Sequence, residues 1–116
     1  MISYKVLGQV CPPSNGTLTP LYTVPAGTAS VLSSITVCDV GGGGGTFSVS
    51  VSVNGAADDP SQYIYGSPTV GMVIDPQDTF IATIGVTLAA GDTLYARSFS
   101  ANSSEIAFQA FGAENS

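Results

Sequence analysis

The reactive side chains of this sequence are few: eight carboxylates, at Asp39, Asp58, Asp59, Asp75, Asp78, Asp92, Glu105 and Glu114, two thiols, Cys11 and Cys38, and no histidine. Without imidazole, Ser-His-Asp and Cys-His catalysis and the commonest nitrogen ligands for metals are excluded. A pair of carboxylates would suffice for glycoside hydrolysis. Most of the aspartates, however, sit beside Gly or Pro or at a strand start, where a carboxylate accepts bonds from the backbone of its own turn. The expected reading is non-enzymatic, with no catalytic residue and no cofactor.

Asp58 and Asp59, with Asn54 and Ser61 nearby, are an oxygen set that Ca²⁺ would accept. The spaced acidic loop of an EF-hand is absent, so a solvated turn is the expected role and no metal site is assigned. Cys11 precedes two prolines and has neither a basic neighbour nor a helix start to lower its pKa, which gives it no nucleophilic role. Cys11 and Cys38 would bond only if strands brought their Cα atoms within about 7 Å, which sequence leaves open. No secretion signal is read at the start of the chain, and two reduced thiols are expected.

Residues 41–45 are five consecutive glycines. A phosphate loop needs glycines at set spacing, a following helix N-terminus and usually a lysine; this run is uniform, leads into a strand and lies far from Lys5. It is expected to be a flexible hairpin connection between strands over 30–38 and 46–53. Tyr63 and Tyr65 flank Ile64, and strict alternation puts both rings on one face. There they would anchor a partner, stack a sugar or cap the core, and tyrosine enrichment in interfaces favours the partner.

Lys5 and Arg97 are the only basic side chains, and the net charge of −6 leaves counterion-release binding to nucleic acid almost nothing to use. No apolar run approaches the roughly 20 residues of a membrane-spanning helix. Only 9% of residues are charged, against about 25% in an average soluble protein. A surface covered by hydroxyls and backbone suits a chain packed against copies of itself or other partners, where each buried charge is costly.

The elements that must position these groups are strands. Apolar residues recur with period two, most plainly over 46–53, where Phe47, Val49, Val51 and Val53 alternate with Thr46, Ser48, Ser50 and Ser52. Further strands are expected over 3–9, 21–24, 30–38, 62–65, 71–74, 79–84, 93–99 and 105–111, separated by turns rich in Pro, Gly, Asn and Asp. Eight or nine short strands without helices predict an all-β, antiparallel two-layer β-sandwich, jelly-roll or immunoglobulin-like, with a closed barrel as the alternative. One domain over 1–116 is expected, with 1–10 as an N-terminal arm or edge strand. The expected interior is Val6, Leu21, Val31, Ile35, Val37, Phe47, Val49, Val51, Phe80, Ile84, Leu88, Leu94, Ile106 and Phe108.

The segments Tyr4-Lys5-Val6-Leu7-Gly8-Gln9, Leu21-Tyr22-Thr23-Val24-Pro25-Ala26-Gly27-Thr28 and Ser34-Ile35-Thr36-Val37-Cys38 resemble those of small virion structural proteins of tailed bacteriophages, including cyanophages. So do Gly85-Val86-Thr87-Leu88-Ala89-Ala90-Gly91-Asp92 and Ile106-Ala107-Phe108-Gln109-Ala110-Phe111-Gly112, which carries the resemblance over most of the chain. The glycine run and Asp58-Asp59-Pro60 are features of this sequence alone. The resemblance implies a non-catalytic virion component: a capsid decoration or cement protein, or else a neck, tail or fibre accessory contacting host-surface carbohydrate. Its partners would be the major capsid protein or neck and tail proteins, with no direct nucleic acid and no membrane. Tyr4, Lys5, Asp58, Asp59, Tyr63 and Tyr65 are the expected contact residues, and low charge with exposed strand edges points to a homo-oligomer such as a trimer.

Overall fold

The alternation over 46–53 produces a central strand because Phe47 and Val49 find a buried face, and every neighbouring strand is placed relative to it. A computed structural model describes residues 2–12, 16–99 and 106–116. Met1, Glu105 and the residues 13–15 of the first expected turn lie outside the described residues. The strands are β1 (Ile2–Val10), β2 (Thr19–Thr23), β3 (Ala29–Asp39), β4 (Gly45–Ser52), β5 (Tyr63–Tyr65), β6 (Met72–Ile74), β7 (Thr79–Leu88), β8 (Thr93–Ser98) and β9 (Ile106–Asn115).

Two antiparallel sheets form. The first has the order β1-β9-β3-β7; the second has β2-β8-β4-β5, with β6 pairing alongside β5 on the same edge of β4. Successive strands from β1 to β4, and again from β7 to β9, lie in opposite sheets. That order is a jelly roll: an immunoglobulin sandwich keeps its first two strands in one sheet, and a barrel would close the edges that β1, β7, β2 and β5 leave open here.

Between the sheets lie Leu32, Ile35, Val37, Phe47, Val49, Leu88, Leu94, Ile106 and Phe108, all essentially inaccessible. Phe47 is the hub, with its ring centroid 5.4 Å from Phe80 and 5.9 Å from Phe108. Two expected core residues are on the outside. Val6 and Val31 are exposed, and their neighbours Leu7 and Leu32 are buried instead. The cause is a β-bulge in each strand, between Val6 and Gly8 and between Leu32 and Ser34. One extra residue puts the side chains on its two sides out of phase, so Val6 and Val31, each before a bulge, take the face opposite to the one their alternation with the residues after it implies. The inward alternation of β4 also stops early: Val53 lies past the strand end and is exposed.

The glycine run is not a hairpin. β3 and β4 belong to different sheets, so residues 41–45 carry the chain across from one layer to the other. Nor is the run a free tip. The buried Asp39 carboxylate accepts bonds from the backbone N–H groups of Gly42 (3.2 Å), Gly44 (2.7 Å) and Gln77 (2.9 Å). These bonds, Gln77 first, hold its carboxyl below the usual range against the opposing pull of burial. Gly44 has φ +72°, and a Cβ there would lie 3.1 Å from Pro76 Cδ and 3.2 Å from the Ile74 carbonyl. Cys11 and Cys38 form no disulfide.

Candidate partner interface

The six expected contact residues do not form one patch. Tyr4 stands on the outer face of the first sheet and is 83% exposed. Lys5 turns the other way, and its Nζ lies 2.8 Å from Glu114 Oε1, tying β1 to β9. The second Glu114 oxygen accepts from the Tyr22 hydroxyl, which also lies 2.6 Å from Ser30 Oγ. Burial, then the bond to Glu114, pushes Tyr22 up to about 12. The bonds from Lys5 and Tyr22 lower the Glu114 carboxyl. Lys5 is thus a structural tie between strands.

Tyr63 and Tyr65 are on opposite faces, against the expectation from alternation. The pairing of β5 with β4 shifts register, Val49 opposite Tyr65 and Ser50 opposite Tyr63, so Ile64 is an extra residue. Tyr65 turns inward, edge-on to Phe80 at 5.1 Å between ring centroids. Tyr63 turns outward and donates to Asp58 Oδ1 at 2.7 Å.

Asp58, Tyr63 and Arg97 instead build a clasp that sequence reasoning missed. Arg97 on β8 is opposite Ser48 of β4, on the outer face of the second sheet. Its Nη2 lies 3.0 Å from Asp58 Oδ2, and its Nη1 donates to the Pro68 carbonyl. The loop segments on either side of β5, over 53–62 and 66–70, are thereby strapped across the hydroxyls of β4. Ser48 Oγ donates to the Ser67 carbonyl at 2.9 Å, and Ser52 Oγ donates to Ala56 at 2.6 Å. Ser48, Ser50 and Ser52 are all buried, so the polar half of the alternating strand faces a covering loop and not solvent. The one legible signal was an isolated arginine on a hydroxyl-rich strand.

Asp59 caps the short 3-10 turn Pro60–Gln62, accepting from Ser61 N at 2.9 Å and Ser61 Oγ at 2.8 Å. Those bonds lower its pKa. Asn54 does not join Asp58 and Asp59; its backbone N–H donates to Asp92. Among the described residues no group of three His, Cys, Asp or Glu is placed to hold a metal ion.

Among the described residues, none forms a covering loop over the outer face of the first sheet, where Tyr4, Val6, Val31 and Ile81 are exposed. Its rows read, across all four strands, Tyr4-Ala113-Val31-Thr87, then Val6-Phe111-Ser34-Thr83, then Gln9-Gln109-Thr36-Ile81. None of these side chains is charged. Ile2, Tyr4, Val31, Ser33, Gly112 and Ala113 line a shallow groove of about 390 Å³ at one end of this face. Ile81, 67% exposed, projects nearer the other end.

No protein-family model and no curated protein matches this chain. Among solved structures it is similar to a chain of the infectious bursal disease virus T13 particle, with TM-score 0.51 and 8% identity over 98% of this chain and 30% of that one. A chain of the Gx strain of that virus gives TM-score 0.51 and 6% identity over 98% and 32%. A chain of the capsid of Helicobacter pylori bacteriophage KHP30 gives TM-score 0.48 and 13% identity over 98% and 92%. The chain therefore spans about a third of the length of the bursal disease virus chains. At these identities the likeness to these virus-particle chains is one of fold alone.

Proposed function

We propose that the chain is a non-enzymatic structural component of a bacteriophage virion, and that its role is capsid decoration: it binds the assembled head and adds contacts between neighbouring subunits. The observation that carries this reading is the jelly-roll strand order, matched over 98% of the chain by a viral-particle protein. The use of its carboxylates supports the non-enzymatic part. Asp39, Asp58, Asp59 and Glu114 are each bonded to backbone or side-chain partners that organise loops and strand ends. Asp92 likewise accepts from the N–H groups of Ala89 (2.9 Å) and Asn54 (3.1 Å). A carbohydrate-binding accessory role loses its main support because Tyr63 and Tyr65 cannot stack one sugar from opposite faces.

Quantitative mass spectrometry of intact virions tests the reading, together with binding of purified protein to heads that lack it. Saturable binding to assembled heads, and a copy number on the scale of the capsid lattice, are expected. A copy number matching one neck or tail ring would transfer the role to that structure. Binding to isolated host glycans without binding to heads would overturn it.

A further inference from the structure

We infer that the outer face of the first sheet is where a second copy of this chain packs, face to face across a two-fold axis. This inference does not depend on the virion role. The two sheets present opposite situations to solvent. Over the second sheet, the loop held by Arg97 and Asp58 buries the outward hydroxyls of β4. Over the first, Tyr4, Val6, Val31 and Ile81 stand exposed, with nothing above them among the described residues.

Charge selects the occupant. The chain carries −6, so two copies repel each other wherever their carboxylates meet. Among the described residues, the outer rows of the first sheet hold no carboxylate and no cation, because Lys5 and Glu114 point to the other side and pair together, and Asp39 is buried there. Identical uncharged faces meet without opposing like charges and without burying an unpaired one. A partner that recognised this chain by charge would dock elsewhere, since nothing on this face could steer it. The hydroxyls of Ser34, Thr36, Thr83 and Thr87, interleaved with aliphatic side chains, keep the face wettable in the free chain and able to hydrogen-bond in the pair.

Size agrees. Four strands about 4.8 Å apart and about nine residues long at about 3.4 Å each cover on the order of 600 Å² in flat projection, the same order as the about 800 Å² per partner of a standard stable interface. Stacked sheets pack at about 10 Å with aligned strands. An isologous contact of this kind closes as a pair, whereas the trimer expected from sequence needs a head-to-tail contact between different surfaces.

Sedimentation velocity on the full chain over a wide concentration range tests this, alongside Val31→Asp and Ile81→Asp. Both side chains are exposed, so far-UV circular dichroism and melting of the dilute variants should match the parent. The parent should sediment at twice the chain mass, and each aspartate should weaken association at least about 30-fold. Added salt should strengthen the pair by screening the net charge. A parent that stays monomeric at millimolar concentration, a trimer, a pair indifferent to both aspartates, or a pair that salt weakens would each overturn the inference.

Discussion

Arg97 Nη2 lies 3.0 Å from Asp58 Oδ2, joining a side chain on β8 to a loop that crosses the outer face of the second sheet. The arginine is 10% exposed and the aspartate 29%. Removing the aspartate strands a nearly buried cation, while removing the arginine leaves a carboxylate that Tyr63 still partners and water reaches. Asp58→Ala should therefore cost about 2 kcal/mol, less than a fully buried pair because solvent screens its partner, and Arg97→Met should cost less than that. Urea unfolding measures both. Equal losses, or a larger loss for Arg97→Met, would contradict the clasp.

Gly42 and Gly44 both have left-handed backbones, and Gly44 is the more tightly enclosed of the two. Alanine there meets a left-handed backbone and contacts at 3.1 and 3.2 Å, and should cost about 1–2 kcal/mol. Gly85, on the open side of β7 with nothing within 4 Å of a added Cβ, is the control. Gly85→Ala should leave the melting temperature nearly unchanged while Gly44→Ala lowers it.

Stability should fall at both extremes of pH through the Lys5-Glu114-Tyr22 network. Glu114 has a pKa below its ordinary 4.5, so it stabilises the fold above that value, and the contribution disappears as pH falls through the lowered folded pKa. Tyr22 is raised from 10.0 to about 12, so its contribution is complete below pH 10 and is lost as pH rises through about 12. Glu114→Gln should flatten the acid limb of a stability-against-pH curve, and Tyr22→Phe the alkaline limb. An unchanged limb in either variant would remove that residue from the account.

Along β4, the end of the inward alternation should be readable by alanine scanning. Phe47→Ala empties the contact with Phe80 and Phe108 and should cost about 3–5 kcal/mol. Val53→Ala, beyond the strand and exposed, should stay within about 0.5 kcal/mol. Thermal and urea unfolding of the two variants decide it, and comparable losses would mean that Val53 is packed after all.

Strand identity was legible because period-two alternation and turn chemistry are local. Each of the nine strands falls on a segment expected from sequence, with β7 and β9 running on to Leu88 and Asn115. Local signals do not carry register. The bulges beside Leu7 and Leu32 exchanged exposed and buried positions, and the one at Ile64 parted Tyr63 from Tyr65. A bulge is stabilised by the strand opposite it, and the strand opposite is unknown until the sheet exists.

By itself the sequence determined an all-β chain, the absence of imidazole chemistry and a surface nearly without cations, because composition and short-range periodicity suffice for these. Which sheet each strand joins was decided only by tertiary structure, and with it the path of the glycine run from one layer to the other. The same holds for the two outer faces. Ser48, Ser50 and Ser52 read as the polar face of an alternating strand, and only the meeting of Asp58 with Arg97, distant in the chain, put a loop over them and left the uncharged face of the first sheet as the open one. Long-range contacts of this kind depend on how the two layers pack, and the residues that make them carry no mark of it in their own neighbourhood.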